Sequence, residues 1–131
     1  MKEHFQKVIE YAEGLGLEII HRDDQEELIV VTNEDAGIFN LIIDCEETLL
    51  IFEQLIYTIE NASEKHFLRL LQMNRTLIHG AFVVDEEGKQ VIYRDTLQIE
   101  NLDFNEFEGT INALSLGLAE YSSELLTLNK N

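Results

Sequence analysis

The chain of 131 residues has the length of one domain, and 45% of its residues are hydrophobic, which is enough to form one core. Its formal net charge of −17, from 26 acidic and 9 basic residues, argues against binding to nucleic acid or to anionic membrane surfaces. The sequence has neither the long apolar run of a membrane span nor the apolar region of a signal peptide. The lone Cys45 cannot form an internal disulfide, so we expect a cytoplasmic location. The length and the lack of a linker predict a single domain over residues 1–131.

The charge is distributed unevenly along the chain. Residues 1–60 carry 15 acids and 3 bases, whereas residues 61–131 carry 11 acids and 6 bases. Residues 65–84 contain no acid at all. Since like charges repel, we expect this acid-free segment to be the surface where self-association or docking of a partner meets the least resistance.

The first half of the chain predicts one helix followed by strands. Apolar residues recur every three or four positions in residues 2–14, which is typical of an amphipathic helix. Strands are predicted at residues 17–20, 28–32, 38–44 and 48–58, with polar turns at residues 21–27 and 33–37. The last of these strands is apolar on both faces, so we expect it at the centre of a sheet or in a subunit interface.

The second half predicts a helix, a hairpin and a long helix. The first helix is capped within residues 61–64 and ends near Asn74, and its apolar side is unusually wide. Strands at residues 77–84 and 90–96 form a hairpin in which Gly88 takes a positive φ. The last helix begins after Asp103, which has the spacing of a helix cap. Its apolar stripe consists of Phe107, Ile111, Leu114, Leu118, Tyr121 and Leu125.

No sequence pattern predicts a catalytic or metal site. Acids cluster at residues 23–27, 34–35, 44–47 and 85–87, all at predicted turns, without the alternating ligand spacing of a calcium loop. The four histidines, His4, His21, His66 and His79, lack the spacing of zinc ligands. Cys45 lies between two acids, which raise the pKa of a thiol, so we interpret it as inert. We therefore expect no metal, no cofactor and no enzymatic activity.

Asn74 and Arg75 lie where the predicted helix meets the hairpin. We expect Asn74 to end the helix in the left-handed conformation and Arg75 to bind the exposed carbonyl groups at the helix end. This structural interpretation is favoured over a catalytic one, because no acid or base partner is near in the sequence.

The junction between this helix and the hairpin resembles a known family. Leu71, Asn74, the Gly-Ala-Phe run at 80–82 and the Asp85-x-x-Gly88 turn look like the helix-to-hairpin signature of type III secretion chaperone-like proteins, a group that includes Tir chaperones and YbjN-like proteins. Residues 107–121 look like the last helix of that family. The resemblance implies an α+β fold with an antiparallel sheet, in the order α-β-β-β-α-β-β-α, and a dimer.

The same resemblance implies that the chain binds extended segments of other polypeptides along apolar surface, by strand addition. We expect a binding surface on the wide apolar helix and the two-faced strand, formed by Phe67, Leu68, Leu70, Leu71, Phe52 and Ile56. A homodimer contact is expected to use residues 48–58 and 65–84. The alternative is a small-ligand binder or an enzyme whose site is assembled from residues distant in sequence.

Overall fold

The structure is a computed structural model that describes residues 2–130. Its elements, in chain order, are α1 (Lys2–Gly14), β1 (Glu18–Asp23), β2 (Leu28–Asn33), a 3₁₀ turn (Glu34–Ala36), β3 (Ile38–Glu46), β4 (Leu49–Thr58), α2 (Glu64–Asn74), β5 (Ala81–Val84), β6 (Gln90–Gln98) and α3 (Phe104–Lys130). The predicted α+β class is confirmed. Four strands precede α2, so the chain has one strand more than the order that the resemblance implied.

The six strands form one sheet in the order β1-β2-β3-β4-β6-β5, and every neighbouring pair is antiparallel. β1 and β5 are the edge strands. β4 lies between β3 and β6, which confirms the central position expected for the two-faced apolar strand.

The three helices cover one face of the sheet. The apolar stripe predicted for α3 is buried along its whole length, and so are Phe5, Val8, Ile9 and Ala12 of α1. With 27 residues, α3 is about 40 Å long. Its Phe107 ring lies 5.6 Å from the ring of Phe52 in β4, and its Tyr121 ring lies 6.2 Å from that of Phe82 in β5. This helix therefore runs across the core from α1 towards the β5 edge.

Within residues 2–130, no helix covers the other face of the sheet. Strand residues that alternate with the core positions point to this face, and Ile42, Leu49 and Leu55 are exposed there. Glu53 and Arg94 sit opposite each other on β4 and β6 and form an ion pair with an N–O distance of 3.3 Å. The face is therefore a mixture of apolar and charged side chains.

Three local predictions were wrong. Residues 21–23 continue β1 and are not a turn, because a register shift between Ile19 and His21 keeps them paired with β2. Residues 77–80 precede β5 and are not part of it, since turn hydrogen bonds follow the end of α2 and Gly80 has a φ of 74°. The turn predicted between the third and fourth strands, at residues 45–47, begins too early, because residues 45 and 46 still belong to β3.

The predicted helix caps and hairpin turn are present. Ser63 Oγ accepts a hydrogen bond from the His66 amide at 3.1 Å, and Asp103 Oδ1 accepts one from the Glu106 amide at 2.8 Å. Gly88 has a φ of 72° in the hairpin turn. These caps fix the N-terminal ends of α2 and α3.

Candidate functional site

A groove of about 490 Å³ lies between α2 and the edge strand β5. We call it the α2–β5 groove, and it is lined by Phe67, Leu70, Leu71, Asn74, Phe82, Val83 and Val84. Leu70 and Phe82 are buried and form its floor, whereas Leu71 is 68% exposed on one wall. The groove lies within the acid-free segment that the sequence predicts to be a contact surface.

Asn74 connects the two sides of this groove through its side chain. Its Oδ1 atom accepts a hydrogen bond from the Phe82 amide at 2.7 Å, and its Nδ2 atom donates one to the Phe82 carbonyl at 3.1 Å. The residue is helical, and the residue that follows it, Arg75, has a φ of −60°. The predicted left-handed helix end at Asn74 is therefore wrong. The amide side chain instead occupies the main-chain hydrogen-bonding groups of the β5 edge.

The predicted binding residues are divided among different environments. Phe67, Leu70 and Leu71 line the α2–β5 groove together. Leu68 is 56% exposed on α2, outside that groove. Ile56 lines a different groove, and Phe52 is 1% exposed in the core. A partner therefore cannot contact Phe52 in this structure, because its ring is covered by Phe107 of α3.

A second groove, of about 560 Å³, lies between β4 and α3. We call it the β4 groove. Residues 54–57 of β4 line one side, residues 34–37 with Phe39 close one end, and α3 lines the other side with residues such as Leu118, Leu125 and Leu126. Of this set, only Ile56 is among the binding residues predicted from the sequence. Exposed apolar residues such as Phe39 and Leu126 carry no periodic signal that would have identified the groove.

Half-buried Tyr57 and buried His66 form a polar pair near this groove. Their Oη and Nε2 atoms are 2.7 Å apart, and His66 Nδ1 lies 2.9 Å from the Asn61 carbonyl oxygen. Because a carbonyl only accepts hydrogen bonds, Nδ1 carries a proton and donates to Asn61. Burial raises the pKa of Tyr57 to about 12, so its hydroxyl keeps its proton at neutral pH. The pair is therefore a structural contact between β4 and α2.

Within residues 2–130, the cysteine, histidine and carboxylate side chains considered for catalysis or metal binding do not form one cluster. Burial, with help from Glu27 and Asp44, raises the pKa of the Cys45 thiol to about 12, so its thiolate is rare at neutral pH. A third, more polar recess contains His4, Glu47 and Glu100, and no hydrogen bond or ion pair joins these side chains in the described chain. Within residues 2–130 no group of three or more His, Cys, Asp or Glu side chains has the arrangement of a metal site.

None of the helices within residues 2–130 is both long and apolar enough to cross a bilayer.

The sequence and the fold were then compared with known proteins. The family model CesT_Tir_1 matches residues 1–131. A search of curated protein sequences returned no match. Among solved structures, YbjN from E. coli, described as a proposed transcription regulator, is similar with a TM-score of 0.71 and 12% identity, over 92% of each chain.

Two further similar structures are complexes. A chain of the HopA1–SchA chaperone–effector complex matches with a TM-score of 0.64 and 11% identity, over 90% of this chain and 93% of that one. The Yersinia pestis type III secretion chaperone SycH, solved with a stable fragment of YscM2, matches with a TM-score of 0.57 and 17% identity, over 95% of this chain and 98% of that one. Because the family model spans the whole sequence and these structures share the fold, the chain belongs to the CesT_Tir_1 family and has the type III secretion chaperone-like fold.

Proposed function

We propose that this protein is a non-enzymatic, chaperone-like module that binds a segment of another polypeptide in the α2–β5 groove. The observation that carries the proposal is an open apolar groove, with Leu71 exposed on its wall, in the one long stretch of the sequence that has no acid. Two similar structures, the HopA1–SchA and SycH–YscM2 complexes, hold a partner polypeptide, which supports this class of function.

The groove favours insertion of side chains over addition of a strand. The main-chain groups of Phe82 on the β5 edge already pair with Asn74, so a partner strand would first have to displace that side chain. An amphipathic segment that places apolar side chains between Leu71 and Val84 needs no such displacement. We therefore infer that affinity at this groove comes from burial of apolar surface.

The partner segment is expected to be neutral or basic. A chain with a net charge of −17 repels acidic polypeptides at long range, whereas the groove itself carries no acid to compensate a buried base. Charge therefore acts on the rate of encounter, and apolar side chains determine which segment stays bound.

We further propose a homodimer that uses the exposed side of α2 and the turn after it. Leu68 and Ile78 are exposed apolar residues in the acid-free segment. The helix-free face of the sheet is a poorer candidate, because Asp44, Glu46 and Glu53 would meet their own copies there. Since exposed charges are screened beyond about 8 Å at physiological salt, the dimer should persist or tighten as the salt concentration rises.

Two matched substitutions on α2 separate binding from dimerisation. Leu71→Glu places a charge on the groove wall, and Leu68→Glu places the same charge at another exposed position of α2, outside the groove. Partners are captured from native lysate, identified, and titrated as purified polypeptides against each variant. We expect Leu71→Glu to weaken the titrated affinity at least about tenfold while Leu68→Glu leaves it unchanged. Sedimentation equilibrium should show that Leu68→Glu is a monomer.

The opposite pattern would refute the assignment. If Leu68→Glu removes binding and Leu71→Glu does not, the partner surface is the outer side of α2. If wild-type protein is a monomer at tens of micromolar in both low and high salt, the dimer proposal is wrong. The cytoplasmic location expected from the lone cysteine stays a prediction, tested by fractionation of cells that express the protein.

A further inference from the structure

Hydrogen bonds surround the β4 groove. On the sheet side, Gln54 Oε1 accepts from the Phe39 amide and Gln54 Nε2 donates to the Gly37 carbonyl, both at 3.2 Å. These two bonds join β4 to the chain that follows the 3₁₀ turn. Because Gln54 is only 4% exposed, this side of the groove is fixed by the core.

The helix α3 closes the groove at two places. Ser115 Oγ donates to the Ala36 carbonyl at 2.8 Å, which joins the helix to the 3₁₀ turn. Asn129 Nδ2 donates to the Thr58 carbonyl at 3.1 Å, which joins the helix to the end of β4. Ser115 and Asn129 are about 21 Å apart along the helix axis. The groove is therefore bounded at both ends and open only towards solvent.

The closed ends restrict the shape of an occupant. The stretch of β4 that lines the groove, residues 54–57, is about 10 Å long. A polypeptide segment lying along this stretch would have to bend out of the groove at both ends, where Gln54 and Asn129 hold the structure together. A molecule no longer than the groove meets no such obstacle, so the shape favours a small molecule.

The walls of the groove are mostly apolar. Leu118 and Leu125 of α3 are buried, whereas Phe39, Leu55 and Leu126 are exposed by 51% to 63%. The volume of about 560 Å³ lies within the range of about 300–1,000 Å³ that is usual for small-molecule pockets. An apolar body in the groove would therefore remove exposed apolar surface from water.

The charged side chains that line the groove are both acidic. Glu34 and Asp35 are exposed at the end near the 3₁₀ turn, and neither makes an ion pair within residues 2–130. Ser115 lies at the same end, and its hydroxyl oxygen can still accept a hydrogen bond. An ammonium group, which only donates, matches these acceptors, whereas a carboxylate or phosphate group would be repelled. The exposed ring of Phe39 is a further partner for a cation.

Two other occupants match the groove less well. Within residues 2–130 no three His, Cys, Asp or Glu side chains have the arrangement of a metal site, so a bare cation lacks ligands. A second copy of this chain would bring a net charge of −17 to the same acidic end.

We propose that the β4 groove binds a small amphipathic cation, a molecule with an apolar body about as long as residues 54–57 and a protonated amine at one end. The body lies between β4 and α3, and the amine lies beside Glu34, Asp35 and the Phe39 ring. The site is separate from the α2–β5 groove and does not depend on the function proposed for that groove.

The test uses three probes with one apolar body. The amine, the alcohol and the carboxylate of the same phenylbutyl chain are titrated into the ¹⁵N-labelled full-length protein at low salt. We expect the amine to shift the amide resonances of residues 34–39, 54–57 and 115–126 saturably, with a Kd of about a millimolar for a probe of about a dozen non-hydrogen atoms. The alcohol should bind about fivefold more weakly, since it lacks the attraction to two carboxylates, and the carboxylate more weakly still.

Two neighbouring serines of α3 give a matched steric control. Both are exposed, but Ser122 lines the groove and Ser123 does not. Ser122→Trp fills the groove and should weaken binding of the amine at least about tenfold, whereas Ser123→Trp and Leu71→Glu should leave it unchanged. Circular dichroism verifies that each variant is folded.

Paired neutralisations test the acidic end with the charge change held equal. Glu34→Gln combined with Asp35→Asn should reduce the affinity for the amine to that for the alcohol. Glu86→Gln combined with Glu87→Gln raises the net charge by the same amount in the exposed hairpin turn, and it should leave the preference for the amine unchanged.

Several results would overturn the proposal. It is wrong if the amine causes no saturable shifts in the three stretches, or if it shifts the resonances of residues 67–84 alone. It is also wrong if the amine and the alcohol bind equally, or if the two tryptophan variants have equal effects. A captured partner polypeptide that is displaced by the amine and weakened by Ser122→Trp would show that the groove belongs to the polypeptide site instead.

Discussion

Replacement of Gly80 by alanine tests how rigidly the α2–β5 groove is built. Gly80 connects the end of α2 to β5 and has a φ of 74°. A Cβ atom at this position would lie 2.4 Å from Tyr93 Oη and 2.5 Å from Tyr93 Cζ. Tyr93 is fully buried, and its hydroxyl donates to the His79 carbonyl at 2.6 Å. The ring therefore cannot move aside without breaking this hydrogen bond or displacing the core.

The loss of unfolding free energy expected for Gly80→Ala has two separate contributions. A left-handed φ in a residue other than glycine costs about 1–2 kcal/mol. Loss of the buried Tyr93–His79 hydrogen bond costs about 1–3 kcal/mol more. We therefore expect Gly80→Ala to lower the free energy of unfolding by about 2–5 kcal/mol. Gly88 has nearly the same φ, 72°, and nothing within 4 Å of its Cβ position, so Gly88→Ala should lower it by the first contribution alone.

The difference between the two variants isolates the steric contribution. It is measured by urea denaturation monitored by circular dichroism. Thermal melting is a second assay, in which each kcal/mol of lost unfolding free energy lowers the Tm by roughly 4 °C. The reasoning is refuted if the two variants unfold within about 0.5 kcal/mol of each other, because the buried Tyr93 ring would then have room that the structure does not show.

Two further predictions concern neighbouring side chains of β3, buried Cys45 and half-buried Asp44. Burial raises the pKa of the Cys45 thiol to about 12. At pH 8 the thiol should therefore react with a thiol reagent roughly a thousandfold more slowly in the native protein than after denaturation. Equal rates would contradict its burial. Burial and neighbouring carboxylates raise the pKa of Asp44, so its carboxyl group binds a proton more tightly in the folded state than in the unfolded state. The free energy of unfolding should therefore rise as the pH falls from neutral through the folded-state pKa. Asp44→Asn should raise the Tm at pH 7 and flatten this dependence, and a variant whose Tm varies with pH as the wild type does would exclude Asp44 as a cause.

The sequence predicted those features that depend on local periodicity. The stripes of α1 and α3 are buried as expected, because helical spacing places the same residues on one face whatever that face packs against. The cap at Asp103 and the turn at Gly88 also depend only on near neighbours. Burial of Phe52 was not predicted, since a strand that is apolar on both faces does not indicate which face the helices cover.

The grooves depend on pairs of residues that are far apart in the chain. Asn129 meets Thr58 and Glu60 across 71 and 69 residues, and Ser115 meets Ala36 across 79. No spacing rule links such positions in one sequence. The error at Asn74 has the same origin, because its partner Phe82 lies in a strand whose position depends on the whole sheet.

Three amide side chains determine which strand edges remain open. Asn74 bonds to both the amide and the carbonyl of Phe82, as a residue of a neighbouring antiparallel strand would. Gln54 bonds to the Gly37 carbonyl and the Phe39 amide. Asn129 bonds in the same way to the Thr58 carbonyl and the Glu60 amide. Each one occupies main-chain groups that would otherwise recruit another chain, which is the hazard of any free edge in a soluble protein. β1, the other edge strand, has no such bridge among the hydrogen bonds of residues 2–130, so amide side chains close the sheet at β5 and beside β4 but not at β1.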